Sequence, residues 1–257
     1  MSGGPKSDRS GADSWIRRFR PAADAPCRLV CFPHAGGSAS AFHGLTQLLA
    51  PGIDVLSVQY PGRQDRVAEP PLESIAALAD GAYQALRPWT GKPLALFGHS
   101  MGAVVAYEVA LRLASDGTAP LALFPSARRA PSLHREMRVH LRDDEGLLRQ
   151  VASLAGTDGR LLADPGLRQL ILPVLRADYR AVETYRHTDG KRLDCPVFAL
   201  AGADDPMAPP EEVRVWGEHT TREFDVRVFP GGHFYLNDET DAVAALLRSQ
   251  IGAASRG

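Results

Sequence analysis

Residues 94–102 read LALFGHSMG: Leu94, Ala95, Leu96 and Phe97 form an apolar run, followed by Gly98, His99, Ser100, Met101 and Gly102. An apolar run without polar alternation describes a strand buried on both faces. Met101 to Ala114 is apolar nearly all round, which describes a helix packed deep against a sheet. A serine between two glycines, set between such a strand and such a helix, stands on a sharp turn that exposes its hydroxyl. The helix N-terminus that follows favours developing negative charge. Ser100 is therefore the candidate nucleophile, and strand–turn–helix is the unit from which the fold is built.

The same unit recurs on both sides. Leu29–Phe32, Ile53–Gln59, Leu121–Phe124, Val197–Ala201 and Val226–Phe229 read as further strands. Ala41–Leu49, Ser74–Arg87, Glu211–His219 and Thr240–Ile251 read as helices between and after them. Alternation of this kind implies a mostly parallel sheet covered on both faces, an α/β architecture. One stretch breaks it. Between Pro131 and Cys195 there is no convincing strand. Leu147, Leu148, Val151 and Leu154 share a helix face, and Asp164-Pro165 reads as an N-cap with proline at the first helical position. That helix runs on toward Tyr185 and is expected to bend near Pro173. Residues 132–190 thus read as a helical insertion placed as a lid over the sheet edge, with Leu147, Val151 and Leu170 roofing a short chamber.

Composition narrows the class. The chain has 257 residues, 44% hydrophobic and 23% charged, with 29 basic against 30 acidic side chains. That balance argues against nucleic acid as a partner. No apolar run approaches the roughly 18 residues that span a bilayer. Residues 1–12 are polar and Gly/Ser-rich and read as a disordered start, leaving 13–257 as a single domain. Cys27, Cys31 and Cys195 cannot all pair and show no metal-ligand spacing, so no metal site is expected and a reducing cytoplasm fits.

A serine hydroxyl needs a base. Among the 8 histidines, His233 follows the last strand in PGGHFYL, where Gly231 and Gly232 let the loop bend. The acid that orients it should leave the strand before, which ends AGADDP. Asp205 is chosen, with Asp204 as the alternative, and the order serine, acid, histidine suits this architecture. The tetrahedral intermediate needs two backbone donors. Met101 supplies one, and Ala35, in His34-Ala35-Gly36-Gly37 after an early strand, supplies the other. His34 either shapes that loop or is structural.

FPHAGGSAS, YPGR, FGHSMGA, ADYRAVETYR, GADDP and FPGGHFYL, in that order between Cys27 and Leu236, resemble the type II thioesterases that edit polyketide and nonribosomal peptide synthases. The resemblance implies the α/β-hydrolase fold and hydrolysis of acyl or aminoacyl groups from the phosphopantetheine thioester of carrier proteins. It implies a triad of Ser100, Asp205 and His233, with Ala35 and Met101 as oxyanion donors. It implies no cofactor beyond the phosphopantetheine that the substrate carries. Acyl or peptidyl carrier protein domains are the expected partners of a free-standing, monomeric, cytoplasmic enzyme. A small-molecule esterase, a lipase or an acyltransferase of the same fold is the alternative, and a non-enzymatic binding protein is disfavoured because the whole catalytic set is present. Arg128, Arg129, Arg135, Arg138 and Arg142 form the densest basic cluster. They read either as a docking surface for an acidic carrier protein or as an ordinary solvated face.

Overall fold

In a computed structural model that describes residues 14–154 and 164–255, the apolar runs pair into one seven-stranded sheet. Its strands are β1 (Ile16–Arg17), β2 (Arg28–Phe32), β3 (Asp54–Val58), β4 (Leu94–His99), β5 (Ala122–Ser126), β6 (Val197–Gly202) and β7 (Phe224–Phe229). The order is β1-β3-β2-β4-β5-β6-β7. Every pair is parallel except β1 with β3. The helices are α1 (His43–Leu49), α2 (Ile75–Leu86), α3 (Met101–Ser115), α4 (Asp144–Ser153), α5 (Pro165–Thr184), α6 (Pro210–Arg214) and α7 (Thr240–Ala254).

Successive strand residues point to opposite faces, and the two faces bury different helices. Val30, Leu56, Leu96, Leu123 and Ala199 pack with α2, α3 and Trp216. Leu29, Val55, Phe97, Phe124 and Leu200 pack with Leu45 and Leu49 of α1 and Val243 and Leu247 of α7. This is the α/β-hydrolase fold: a mostly parallel sheet flanked by helices. β7 is an outer strand, with Asp225 and Arg227 exposed along it.

The topology fixes where a site can open. From β2 the chain goes to β3 on one side, then returns past β2 to form β4 on the other. The loops after β2 and β4 therefore diverge and leave a crevice at the carboxyl ends of these strands. The helical insertion joins β5 to β6 at this same edge. Its described residues, 132–154 and 164–190, contain α4, α5 and a short 3-10 turn at Val139–Leu141, and no strand. Asp143 caps α4 by accepting from Gly146 N at 2.8 Å, and Asp164 caps α5 by accepting from Gly166 N at 2.8 Å and Leu167 N at 3.0 Å. The insertion has its own small core of Val139, Leu147, Leu148, Val151, Leu175 and Tyr179.

Some expectations needed correction. Leu170 does not roof a chamber: it is 57% exposed, because Leu175 and Tyr179 occupy the inward face of α5. α5 runs unbroken through Pro173, which removes one helical N–H. The helix expected over Glu211–His219 is α6 followed by a 3-10 turn at Val215–His219. β1 was not expected at all, since two residues carry no periodicity. The start at residues 1–12 lies outside the described residues. No described helix is long and apolar enough to cross a membrane.

Candidate active site

Ser100 sits where β4 becomes α3, with φ 55° and ψ −117°. A non-glycine residue held at positive φ stores strain of roughly 1–3 kcal/mol and persists only where its surroundings enforce it. Here the enforcement is steric. A Cβ on Gly98 would lie 2.2 Å from Gly102 O, and one on Gly102 would lie 2.0 Å from Phe32 O. No side chain fits at either place, so the strand and helix close tightly around the serine. Ser100 N donates to Ser126 O at 2.8 Å, which continues the β4–β5 ladder by one rung and fixes the turn.

The three side chains nominated from sequence meet in one hydrogen-bonded row. His233 Nε2 lies 2.8 Å from Ser100 Oγ, and His233 Nδ1 lies 2.8 Å from Asp205 Oδ2. Asp205 and His233 are both buried, at 2% and 5% exposure. The other Asp205 oxygen accepts from Met207 N at 2.8 Å. The aspartate thus caps the turn that carries it and also faces the imidazole. Asp204 is exposed and makes no side-chain contact with the row. Gly202 allows the approach, since a Cβ there would stand 2.3 Å from Gly232 O in the histidine loop.

The loop after β2 supplies the second wall. Gly37 N donates to His34 O at 2.9 Å and Gly36 N to Asp178 Oδ2 at 2.7 Å. Ala35 N and Met101 N have no hydrogen-bond partner among the described residues, and both residues line the cavity that holds Ser100 and His233. An oxyanion formed at Ser100 would require two such donors. The His34 ring stacks edge-on against Phe234 with centroids 4.9 Å apart. Burial lowers its pKa to about 4, so it is neutral and serves the loop's shape.

Two supports were not foreseen. The first is a buried ion pair between Arg63, in the loop after β3, and Asp178 of α5, with contacts of 3.0 and 2.9 Å. Asp178 is fully buried, and Arg63 also donates to Gly37 O at 3.2 Å. Gln59 adds a brace: its Oε1 accepts from Ala39 N at 2.8 Å and its Nε2 donates to Arg63 O at 3.0 Å. The loop carrying Ala35 is thereby tied to both β3 and the insertion. A signal was present, because Asp178 interrupts the apolar face that Leu175 and Tyr179 form on α5. The second support is a buried relay below the histidine. Ser126 Oγ contacts His99 Nδ1 at 2.9 Å and Tyr235 OH at 2.6 Å. Burial holds His99 well below the usual imidazole pKa, so it is a neutral packing element.

Two cavities meet at Ser100. One is lined by Met101, Val104, Arg128, Tyr179, Glu183 and Met207. The other is lined by Val151, Leu154, Ile171, Leu175, Tyr179 and Phe234. Ala35, Ser100, Tyr179 and His233 border both. The basic cluster is divided by the structure rather than gathered into one face. Arg128, Arg129 and Arg135 line the first cavity, where Arg135 also pairs with Glu212 at 2.6 Å, while Arg138 pairs with Glu136 at 2.6 Å in solvent.

Comparison with known proteins agrees with this geometry. Residues 27–251 match the model of the thioesterase domain family. The chain belongs to the thioesterase family. This thioesterase is 52% identical to thioesterase PikA5 of Streptomyces venezuelae, over 88% of its own length and 81% of the relative's. Its fold matches the type II thioesterase BorB from the borrelidin biosynthetic cluster, with a TM-score of 0.87, 49% identity and coverage of 93% and 98% of the two chains. It matches YbtT, a type II thioesterase of the yersiniabactin pathway, with a TM-score of 0.86, 32% identity and coverage of 93% and 99%. These relatives set it among the hydrolases of thioester bonds rather than with the esterases and lipases that share the fold.

Proposed function

We propose that this thioesterase uses Ser100, His233 and Asp205 to hydrolyse acyl or aminoacyl groups from the phosphopantetheine thioester of synthase carrier proteins, clearing units that block polyketide or nonribosomal peptide assembly. The observation that carries the reading is the hydrogen-bonded row at Ser100 with a cavity on each side. A thioester has two arms, acyl and thiol, and two cavities meeting at one hydroxyl accommodate both. His233 Nε2 takes the Ser100 proton as Oγ attacks the carbonyl carbon. The carbonyl oxygen becomes an oxyanion beside the free N–H groups of Ala35 and Met101. His233 then returns the proton to the departing pantetheine sulfur, leaving an acyl-serine. Water, deprotonated by the same imidazole, releases the acid. Asp205 holds the imidazole in the tautomer that accepts at Nε2 and stabilises the imidazolium as it forms. Phosphopantetheine arrives with the carrier protein, and no further cofactor enters these steps. The reading places a monomeric enzyme in the cytoplasm, where such synthases work.

The test is mass spectrometry of acylated carrier proteins incubated with the enzyme. Wild type should return the free phosphopantetheinyl form. Ser100→Ala and His233→Ala should each lose about three orders of magnitude in turnover, and the double variant little more, because the residues act as a unit. Near-normal discharge by Ser100→Ala would refute the mechanism. Rapid hydrolysis of simple esters with none of carrier thioesters would refute the substrate.

A further inference from the structure

His99, the residue before the nucleophile, carries a buried imidazole that the catalytic row itself does not use. β4 ends at His99 and β5 at Ser126, and the two residues stand in register. Their side chains meet in a short chain. Ser126 Oγ lies 2.9 Å from His99 Nδ1 and 2.6 Å from Tyr235 OH. His99, Ser126 and Tyr235 are all fully buried. The Tyr235 ring is itself held, stacked on Phe229 with centroids 5.2 Å apart. The chain therefore joins the ends of two central strands to the loop that carries His233.

Counting donors places the protons. Burial keeps His99 neutral, so its ring has a single N–H. Its Nε2 is buried and closes no hydrogen bond in the free enzyme. The His233 ring stands beside it, with centroids 5.7 Å apart, and the His233 backbone favours a proton on His99. A backbone group that favours a proton is a carbonyl, and a carbonyl only accepts. The one N–H therefore belongs at Nε2, and Nδ1 is left to accept. Ser126 O–H is then the donor to Nδ1, and Tyr235 O–H is the donor to Ser126 Oγ. The reverse order would set the Nε2 lone pair against the carbonyl oxygen, where neither is satisfied and no water relieves them. Donors that point the same way along a buried chain also strengthen one another.

We infer that His99 is a positioning residue for the base: the Tyr235–Ser126 pair holds its imidazole in the Nε2–H form, and that N–H takes the His233 carbonyl as the site tightens around substrate. Catalytic hydrogen bonds that are open in a free enzyme commonly close in the reacting complex. His233 is thereby held from two directions. Asp205 fixes its ring at Nδ1, 2.8 Å away, and His99 fixes its main chain. His99 is also joined to Ser100 by a peptide bond. One side chain thus ties the nucleophile to the backbone of its base and keeps Ser100 Oγ and His233 Nε2 at 2.8 Å. His99 touches no reacting atom and acts only through His233. The inference rests on Ser100 and His233 as nucleophile and base.

The experiment has two arms. In the first, assigned 15N spectra of the wild-type enzyme at neutral pH read the His99 tautomer directly. Nε2–H with a bare Nδ1 is expected, and an Nδ1–H ring overturns the inference without any variant. In the second, kinetics on acetyl-pantetheine compare His99→Phe, which keeps a ring, with His99→Gln, whose amide both accepts from Ser126 and donates to the carbonyl. A base displaced from its place costs about tenfold to a hundredfold. His99→Phe should lose that much in kcat with KM little changed, and His99→Gln should recover much of it. Equal losses in the two variants, or losses confined to KM, make His99 a packing residue and overturn the inference. Should His99→Phe fail to fold, Ser126→Ala removes only the donor to Nδ1. It should admit both tautomers and lower kcat about threefold or more; one unchanged tautomer with full kcat overturns the inference. A Ser100→Ala control separates the two readings. If that variant still turns over, the nucleophile and this inference both fail; if it is dead while His99→Phe keeps full kcat, His99 alone is wrongly assigned.

Discussion

Replacing Asp178 by asparagine should separate the ion pair's structural contribution from its effect on catalysis. The Asp178 carboxylate accepts from Gly36 N and from both terminal nitrogens of Arg63, at 2.7, 3.0 and 2.9 Å, in a place with no solvent exposure. Asparagine keeps the shape, removes the charge and offers one oxygen where three donors converge. Its NH2 must then confront either Gly36 N–H or the Arg63 fork. Removing one partner of a buried pair costs about 3–5 kcal/mol, since the other charge stays buried alone. For a chain of this size that lowers Tm by on the order of 10 °C. The catalytic effect is distinct. Gly36 follows Ala35 directly, so losing the anchor shifts the amide proposed as an oxyanion donor. A whole donor is worth about 10²–10³ in kcat, so a misplaced one should cost about tenfold or more in kcat with KM little changed. Calorimetry and steady-state kinetics on a small pantetheine thioester, run well below the melting point, measure both. The double variant Arg63→Met, Asp178→Leu removes both charges and should recover stability while kcat stays low. If kcat returns with stability, or if Asp178→Asn melts early yet turns over normally, the pair only supports the fold and the argument fails.

Two further outcomes follow from the site. Asp205→Asn should lower kcat strongly by favouring the wrong His233 tautomer, while the exposed Asp204→Asn should have little effect; the opposite ranking would reassign the acid. Burial also holds His34 and His219 at about 4 and His99 well below its usual value. Between pH 6.5 and about 4 the unfolded chain therefore binds protons that the folded chain refuses. The stability these histidines contribute is present above pH 6.5 and is lost as pH falls through that window, by up to about 1.4 kcal/mol per pH unit for each. Urea midpoints that stay flat from pH 7 to pH 4.5 would contradict this.

What the sequence made legible were features whose cause is local. The Ser100 turn announces itself between Gly98 and Gly102; a Cβ on Gly98 would meet Gly102 O nearby, whereas one on Gly102 would meet Phe32 O of the neighbouring strand. Strands buried on both faces show as unbroken apolar runs, so the ends of β2, β4 and β6 fall within two residues of those read from sequence. The Arg63–Asp178 pair, separated by 115 positions, leaves no mark in either neighbourhood beyond an acid on an apolar helix face. β1 is recruited by its neighbour's edge and not by its own pattern. The basic cluster hides its division for the same reason. Five arginines close in sequence read as one surface, yet the turn at Ala127 sends Arg128 into the cavity while Arg138 points to Glu136 in solvent.

The outer flank of the sheet bears on how the molecule behaves in a crowded solution. A strand with one side unpaired offers its backbone amides to any passing chain, which is the usual starting point of fibrils and of domain exchange. In β7, Asp225 Oδ1 folds back onto Val226 N at 2.8 Å, occupying a donor that a foreign strand would need. Exposed Asp225 and Arg227 alternate along the same edge, so an approaching apolar strand would have to strip water from two charges before its first rung could form. The chain carries its own guard against polymerisation at the strand where its sheet would otherwise be extended.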